Sequence, residues 1–144
     1  METTVETTEF HQKLKTISIA VDSDSLNPSA NSFLFQANTI LADNTILEAV
    51  AKSPLSVLNS FSVNSGELLL TLSKCPNDET KLTLKDNVLK ITSGKFKRKI
   101  SVTFMEEYIS SVFANIYNTE MPMVSASDEF IEALTMCSQI ASVV

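Results

Sequence analysis

Two glycines, four prolines, two cysteines, one histidine and no tryptophan occur in 144 residues, and each scarcity closes off a class of chemistry. The glycines, Gly66 and Gly94, stand alone, so no glycine-rich loop is available to cradle a phosphate. His11 is the one candidate base for a Ser-His-Asp or Cys-His arrangement, and no acid stands at helical spacing to orient it. Cys75 and Cys137 are too far apart in sequence for a metal or redox motif and read as two buried thiols in a reducing compartment. No apolar run approaches the roughly 18 residues a membrane helix needs. The acidic, polar start METTVETTEF lacks the features of a signal peptide, so a cytoplasmic protein without a membrane partner is expected.

Charge of one sign is also missing from part of the chain. All eleven Lys and Arg residues fall at or before Lys99, and none lies from Ile100 to Val144. With a net charge of −6, any contact with a polyanion has to come from a local surface. One such surface is suggested by Lys95, Lys97, Arg98 and Lys99. On a strand, Lys95, Lys97 and Lys99 would project from one face, either as solvated guards against edge pairing or as phosphate contacts. The acids Asp22, Asp24, Asp78, Glu79 and Asp86 sit at turns, where carboxylates serve backbone hydrogen bonds. No catalytic residue, metal site or cofactor is expected, and an enzyme is not.

What is present is ordinary globular material, 44% apolar and 19% charged, enough for one domain with a core. Phe10, Leu14, Ile17 and Val21 form an apolar stripe that predicts a helix over about Thr7–Val21. Its far side carries His11, Gln12, Lys15 and Thr16. Strand-like runs follow at Ser32–Ala37, Thr45–Lys52 and about Leu55–Val63. Asn64-Ser-Gly-Glu67 reads as a capping box before Leu68–Leu72, a short helix stopped at Cys75-Pro76. Alternating Leu82/Leu84, Leu89/Ile91 and Phe96/Ile100/Val102/Phe104, with turns at Asp86-Asn87 and Ser93-Gly94, predict an antiparallel meander. Another strand is expected within Tyr108–Tyr117, and a last helix over about Ser127–Val144.

The first and last helices superpose when Phe10 is slid onto Phe130. Leu14 then meets Leu134, Ile17 meets Cys137 and Val21 meets Ala141. Read as a repeat, residues 7–124 are one unit of helix, strands, helix and strands, and residues 125–144 open a second, incomplete one.

The stretch Ser65-GELLLTLSKCPNDETKLTLKDNVLKITSGKFKRKISV, with FHQKLKTISIAV before it and DEFIEALTMCSQIASVV after it, resembles the first domain of a DNA sliding clamp and the start of the second. The similarity is to clamps of the bacterial DNA polymerase III β-subunit kind or of large tailed phages. It implies an α+β domain, two helices packed on an antiparallel sheet. It also implies a non-catalytic processivity factor that self-associates into a ring around duplex DNA and serves a replicative polymerase and a clamp loader. The resemblance makes His11, Gln12, Lys15, Thr16 and Lys74 the DNA-facing residues. The loop Asp22-Ser-Asp24-Ser departs from the family, which carries basic contacts there, and Glu67 stands near Lys74. The family's peptide-docking groove belongs to later domains. The alternative is a structural or adaptor module of a phage or similar assembly, with no DNA-encircling role.

Overall fold

Two strands run straight into helices with no linker, and the rest of the architecture is arranged around those two corners. The structure, a computed structural model, describes residues 1–104 and 125–141. At the first corner, β1 (Glu2–Glu6) leads into α1 (Thr7–Ile17), capped by the Glu6 carboxylate, which accepts from the backbone N–H groups of Thr8 and Glu9. At the second, β3 (Glu48–Asn64) leads into α2 (Ser65–Ser73), where the Asn64 side chain accepts from the Glu67 N–H at 2.9 Å. The Glu67 carboxylate reaches Arg98 at 3.3 Å.

The first residue of each helix clasps the chain that enters the other half. Thr7 N–H donates to Asp78 O at 2.7 Å, and Ser65 N–H donates to Asn31 O at 3.0 Å. Their hydroxyls repeat the gesture, Thr7 to Asn77 O and Ser65 to Asn31 O, both at 2.7 Å. Because the Thr7 proton is spent on Asn77, the buried Thr80 hydroxyl donates to Thr7 across 2.8 Å. Buried positions recur around the two corners as Val5/Val63, Phe10/Leu68 and Leu14/Leu72. The strand entering each helix pairs with the first strand after the other helix, β1 with β4 (Glu79–Lys85) and β3 with β2 (Ser32–Asp43).

With β5 (Val88–Ser93) and β6 (Phe96–Phe104), these strands make one six-stranded antiparallel sheet in the order β1-β4-β5-β6-β3-β2. Two-residue turns close the meander. Asp86 and Asn87 both have positive φ, as a type I′ turn requires, and Gly94 has φ +57° at the first position of the next. The core packs Phe10, Leu14 and Ile17 of α1 and Leu68 and Leu72 of α2 onto Phe33, Phe35, Phe61, Leu82, Leu89, Ile91 and Ile100. Each large apolar side chain so buried contributes about 1.5–3 kcal/mol. Phe35 and Phe61 stack with centroids 4.8 Å apart.

Several expectations are corrected. The first helix ends at Ile17 and tightens into a 3₁₀ turn over Ser18–Ala20, with Val21 extended. Thr45, placed in a strand by pattern, is a turn residue with φ 74°. Thr45–Lys52 and Leu55–Val63 are not separate strands, since β3 runs through both. Pro54 sits where the β2–β3 register shifts between Ala37/Val57 and Thr39/Lys52, so its missing N–H removes no ladder bond. The strand expected within Tyr108–Tyr117 lies outside the described residues. The final helix, α3, spans Asp128–Ala141 and touches the 3₁₀ turn, but Phe130 (55% exposed), Leu134 (38%) and Cys137 are exposed. Cys137 is therefore not a buried thiol, and Cys75 is half-buried. No helix among the described residues is long and apolar enough to cross a membrane.

Replacing Thr7 by Val keeps the shape and leaves Thr80 Oγ1 and Asn77 O short of a partner. Urea unfolding is expected to show a loss of about 1–3 kcal/mol. The exposed neighbour Thr8→Val is expected to stay within about 0.5 kcal/mol, and equal costs would mean that the clasp stabilises nothing. A second expectation concerns β1, tied to β4 by the Lys81–Glu2 ion pair at 2.6 Å. The hydrogen bond from Lys81, aided by its charge, holds the Glu2 carboxyl below its usual 4.5. A depressed carboxylate stabilises the fold above its unfolded pKa, and that share is lost as pH falls through the folded value. Acid unfolding profiles below about pH 4.5 should thus be flatter for Glu2→Gln than for the parent chain.

Candidate nucleic-acid interface

α1 and α2 pack against each other, and the helical period decides which side chains they turn outward. With Phe10, Leu14 and Ile17 inward, Gln12 and Lys15 are exposed, and His11 and Thr16 are half-buried on the two flanks. Gln12 and Thr16 line a groove between α1 and β3 whose far wall is Val50 and Ala51. The Thr16 hydroxyl is turned back on Gln12 O at 3.0 Å. His11 and Lys15 lie one turn apart on the other flank, with Lys15 in the last turn, where a cation complements the helix dipole. Lys74 caps α2 from the C-terminal side and shares a shallow groove with Glu67, Thr71, Phe96 and Arg98. Of the five expected DNA-facing residues, four thus lie on α1 and Lys74 at the end of α2; Gln12 and Thr16 line one groove, Lys74 another, and His11 and Lys15 neither of these.

Their electrostatics are sparse. Lys13 is tied to Glu9 at 3.7 Å and Arg98 to Glu67 at 3.3 Å. Glu67 therefore neutralises Arg98, and Lys15 and Lys74 carry no ion pair among the described residues. The loop acids point elsewhere. Asp22 Oδ1 accepts from the Asp24 N–H at 3.1 Å, closing a local turn. Among the described residues, no three His, Cys, Asp or Glu side chains converge as metal ligands.

The basic run on β6 is arranged differently from the expectation. Lys95 is in the Gly94-Lys95 turn and not on the strand, so the three lysines do not form one row. Lys97 and Lys99 are exposed on the sheet face opposite to Ile100 and Val102, away from the helices. On one side they are paired with β5, and the β3 ladder on the other side reaches only Val102–Phe104, so they stand on a stretch of β6 where guarding against edge pairing and contacting an anion both remain open roles. Arg98 has the parity of Ile100 and reaches α2, and the break it makes in the apolar alternation is the signal that could have revealed the Glu67 partner. The exposed stripe of α3 was readable as amphipathic, but not as uncovered.

No family model matches the chain, and no curated protein sequence matches it. Solved structures do. The β subunit of DNA polymerase III from Thermotoga maritima superposes with a TM-score of 0.61 at 22% identity, covering 88% of this chain and 33% of that one. The β subunit of a DNA polymerase of Streptococcus pyogenes gives 0.66 at 14% identity, covering 89% and 34%. The Helicobacter pylori β clamp bound to a DNA ligase peptide gives 0.60 at 17%, covering 87% and 34%. The chain spans about a third of the length of each, and the fold is that of one sliding-clamp domain.

Proposed function

We propose that this chain is a domain of a DNA sliding clamp, a non-catalytic processivity factor. In this reading it is part of a cytoplasmic ring that encircles duplex DNA and tethers a replicative polymerase after placement by a clamp loader. The observation that carries the reading is the shared fold, two helices side by side on one face of a curled antiparallel sheet. Helices facing the hole put Gln12, Lys15 and Lys74, with the flanking His11 and Thr16, toward the duplex. Two unpaired ammonium groups give weak, sequence-independent attraction to phosphates, which suits a contact that slides. On this arrangement Lys97 and Lys99 lie on the outer surface and do not touch the encircled DNA.

The reading also covers α3. Its exposed Phe130 and Leu134 hold the positions at which α1 buries Phe10 and Leu14. We take α3 as the opening helix of a second unit, residues 125–144, whose apolar face is completed by a sheet outside this unit. Assembly into a ring is the expected consequence.

Retention on nicked circular duplex, released by linearising the circle, is the expected outcome for the assembled protein. A chain that stays monomeric and is never retained on circles would leave an adaptor role in its place. Lys15→Ala and Lys74→Ala should each reduce the slope of log affinity against log salt by about 1; unchanged slopes would move the DNA contact off the helices. For α3, sedimentation of Phe130→Glu/Leu134→Glu is expected to show lost self-association with an unchanged melting temperature. A melting temperature lower by several degrees would place α3 in the same core as α1 and remove the second unit.

A further inference from the structure

Strands β4, β5 and β6 present a regular grid on the face turned away from the helices. The register sets Lys81 beside Thr92 and Thr83 beside Lys90, with Thr92 beside Lys97 and Lys90 beside Lys99 on the next strand. Adding Lys85, opposite Val88, places five lysines on this face of three strands. All five are exposed. Lys81 is paired with Glu2, and Lys85 lies 3.9 Å from Asp86. Lys90, Lys97 and Lys99 have no ion pair among the described residues.

The arrangement costs stability. Like charges directly opposite on neighbouring strands repel, as Lys90 and Lys99 do. β4 and β5 are paired on both sides, so Lys81 and Lys90 guard no edge, whereas the β3 ladder covers β6 only over Val102–Phe104 and leaves Lys97 and Lys99 on a stretch paired to β5 alone among the described strands. In a chain of net charge −6, five cations on one face are a segregation that solubility does not require.

We infer that this outer face is a docking surface for a short acidic segment of a partner polypeptide, held in extended conformation across β5 and β6. Three observations select that occupant. The grid spans about 10 Å across strands and about 14 Å along them, from the ~4.8 Å strand spacing and ~3.4 Å rise. That is the footprint of a few extended residues. Acidic residues alternating in a strand repeat every ~6.8 Å, the same step that separates Lys97 from Lys99. A hollow lined by Thr83, Lys85, Asp86, Val88, Lys90 and Lys99, three ammonium groups against one carboxylate, offers room for an apolar side chain on Val88 between the segment's carboxylates. The face has neither an aromatic to stack on a base nor an arginine to fork a phosphate, which weighs against single-stranded nucleic acid. Duplex DNA, which carries a charge every ~1.7 Å of axis, would meet the whole acidic protein beyond the small grid. The inference is independent of the clamp reading, since it uses the face that reading leaves outside the ring.

The test is fluorescence anisotropy with a labelled twelve-residue peptide of alternating Asp and Leu, added to the full chain at about 100 mM salt, where only close charges still act. Saturable binding is expected, weakened at least tenfold by Lys99→Glu and less than twofold by Lys52→Glu, which changes net charge equally from an exposed site on β3. Lys99→Gln, checked for an unchanged melting temperature, should weaken binding by a smaller factor and so separates lost contact from lost fold. No saturable binding, or equal losses at Lys99 and Lys52, overturns the proposal. A twenty-base-pair duplex that displaces the peptide and shows the same Lys99 dependence also overturns it, making the face a nucleic-acid surface.

Discussion

Everything in this fold hangs on the reciprocal clasp between its two strand-to-helix corners. Thr7 cannot make its two hydrogen bonds until the chain at Asn77 and Asp78 is in place, and Ser65 depends in the same way on Asn31. Each half therefore completes the other. The clasp aligns α1 and α2 on one face, and among the described residues no helix covers the meander's opposite face. Orphan amide groups at a helix start are normally met by local caps or water. Here Glu6 and Asn64 cap the later N–H groups locally, but the first N–H of each helix is met by distant backbone, and a local need becomes a constraint on topology.

The same constraint sorts the charges. The helix side holds few cations, and two of those, Lys13 and Arg98, are neutralised by Glu9 and Glu67. The outer side carries the lysine grid. A surface with two free ammonium groups suits loose contact with a phosphate backbone, whereas a dense array at strand spacing suits a partner with matching periodicity. One sheet thus keeps two sets of cations apart, with the apolar core between them.

What could be read from the sequence was what is encoded within a few residues. The meander was legible because Asp86-Asn87 and Ser93-Gly94 are two-residue turn signals between alternating strands. The helix stripes fixed which residues of α1 face outward, so Gln12 and Lys15 were found without a structure. β1 was not legible, since five residues rich in Glu and Thr have no pattern until β4 pairs with them. β3 was split in reading because Pro54 ordinarily ends a strand, and only the register shift shows why this one does not. The α3 stripe announced a face that needs cover, but amphipathicity does not say where the cover comes from. Lys95 was misplaced because alternation ignores the turn that removes it from the strand.

The reach of the clasp also sets an order of events during synthesis. Thr7 and Thr80 are 73 positions apart, and at about 5–20 residues per second the ribosome needs ~4–15 s to deliver the second after the first. For that interval α1 carries Phe10, Leu14 and Ile17 without the strand that anchors its start. The meander, whose contacts are local, can close as soon as it emerges. The apolar stripe of α1 therefore waits longest for its cover, and this unit is secured from its meander outward.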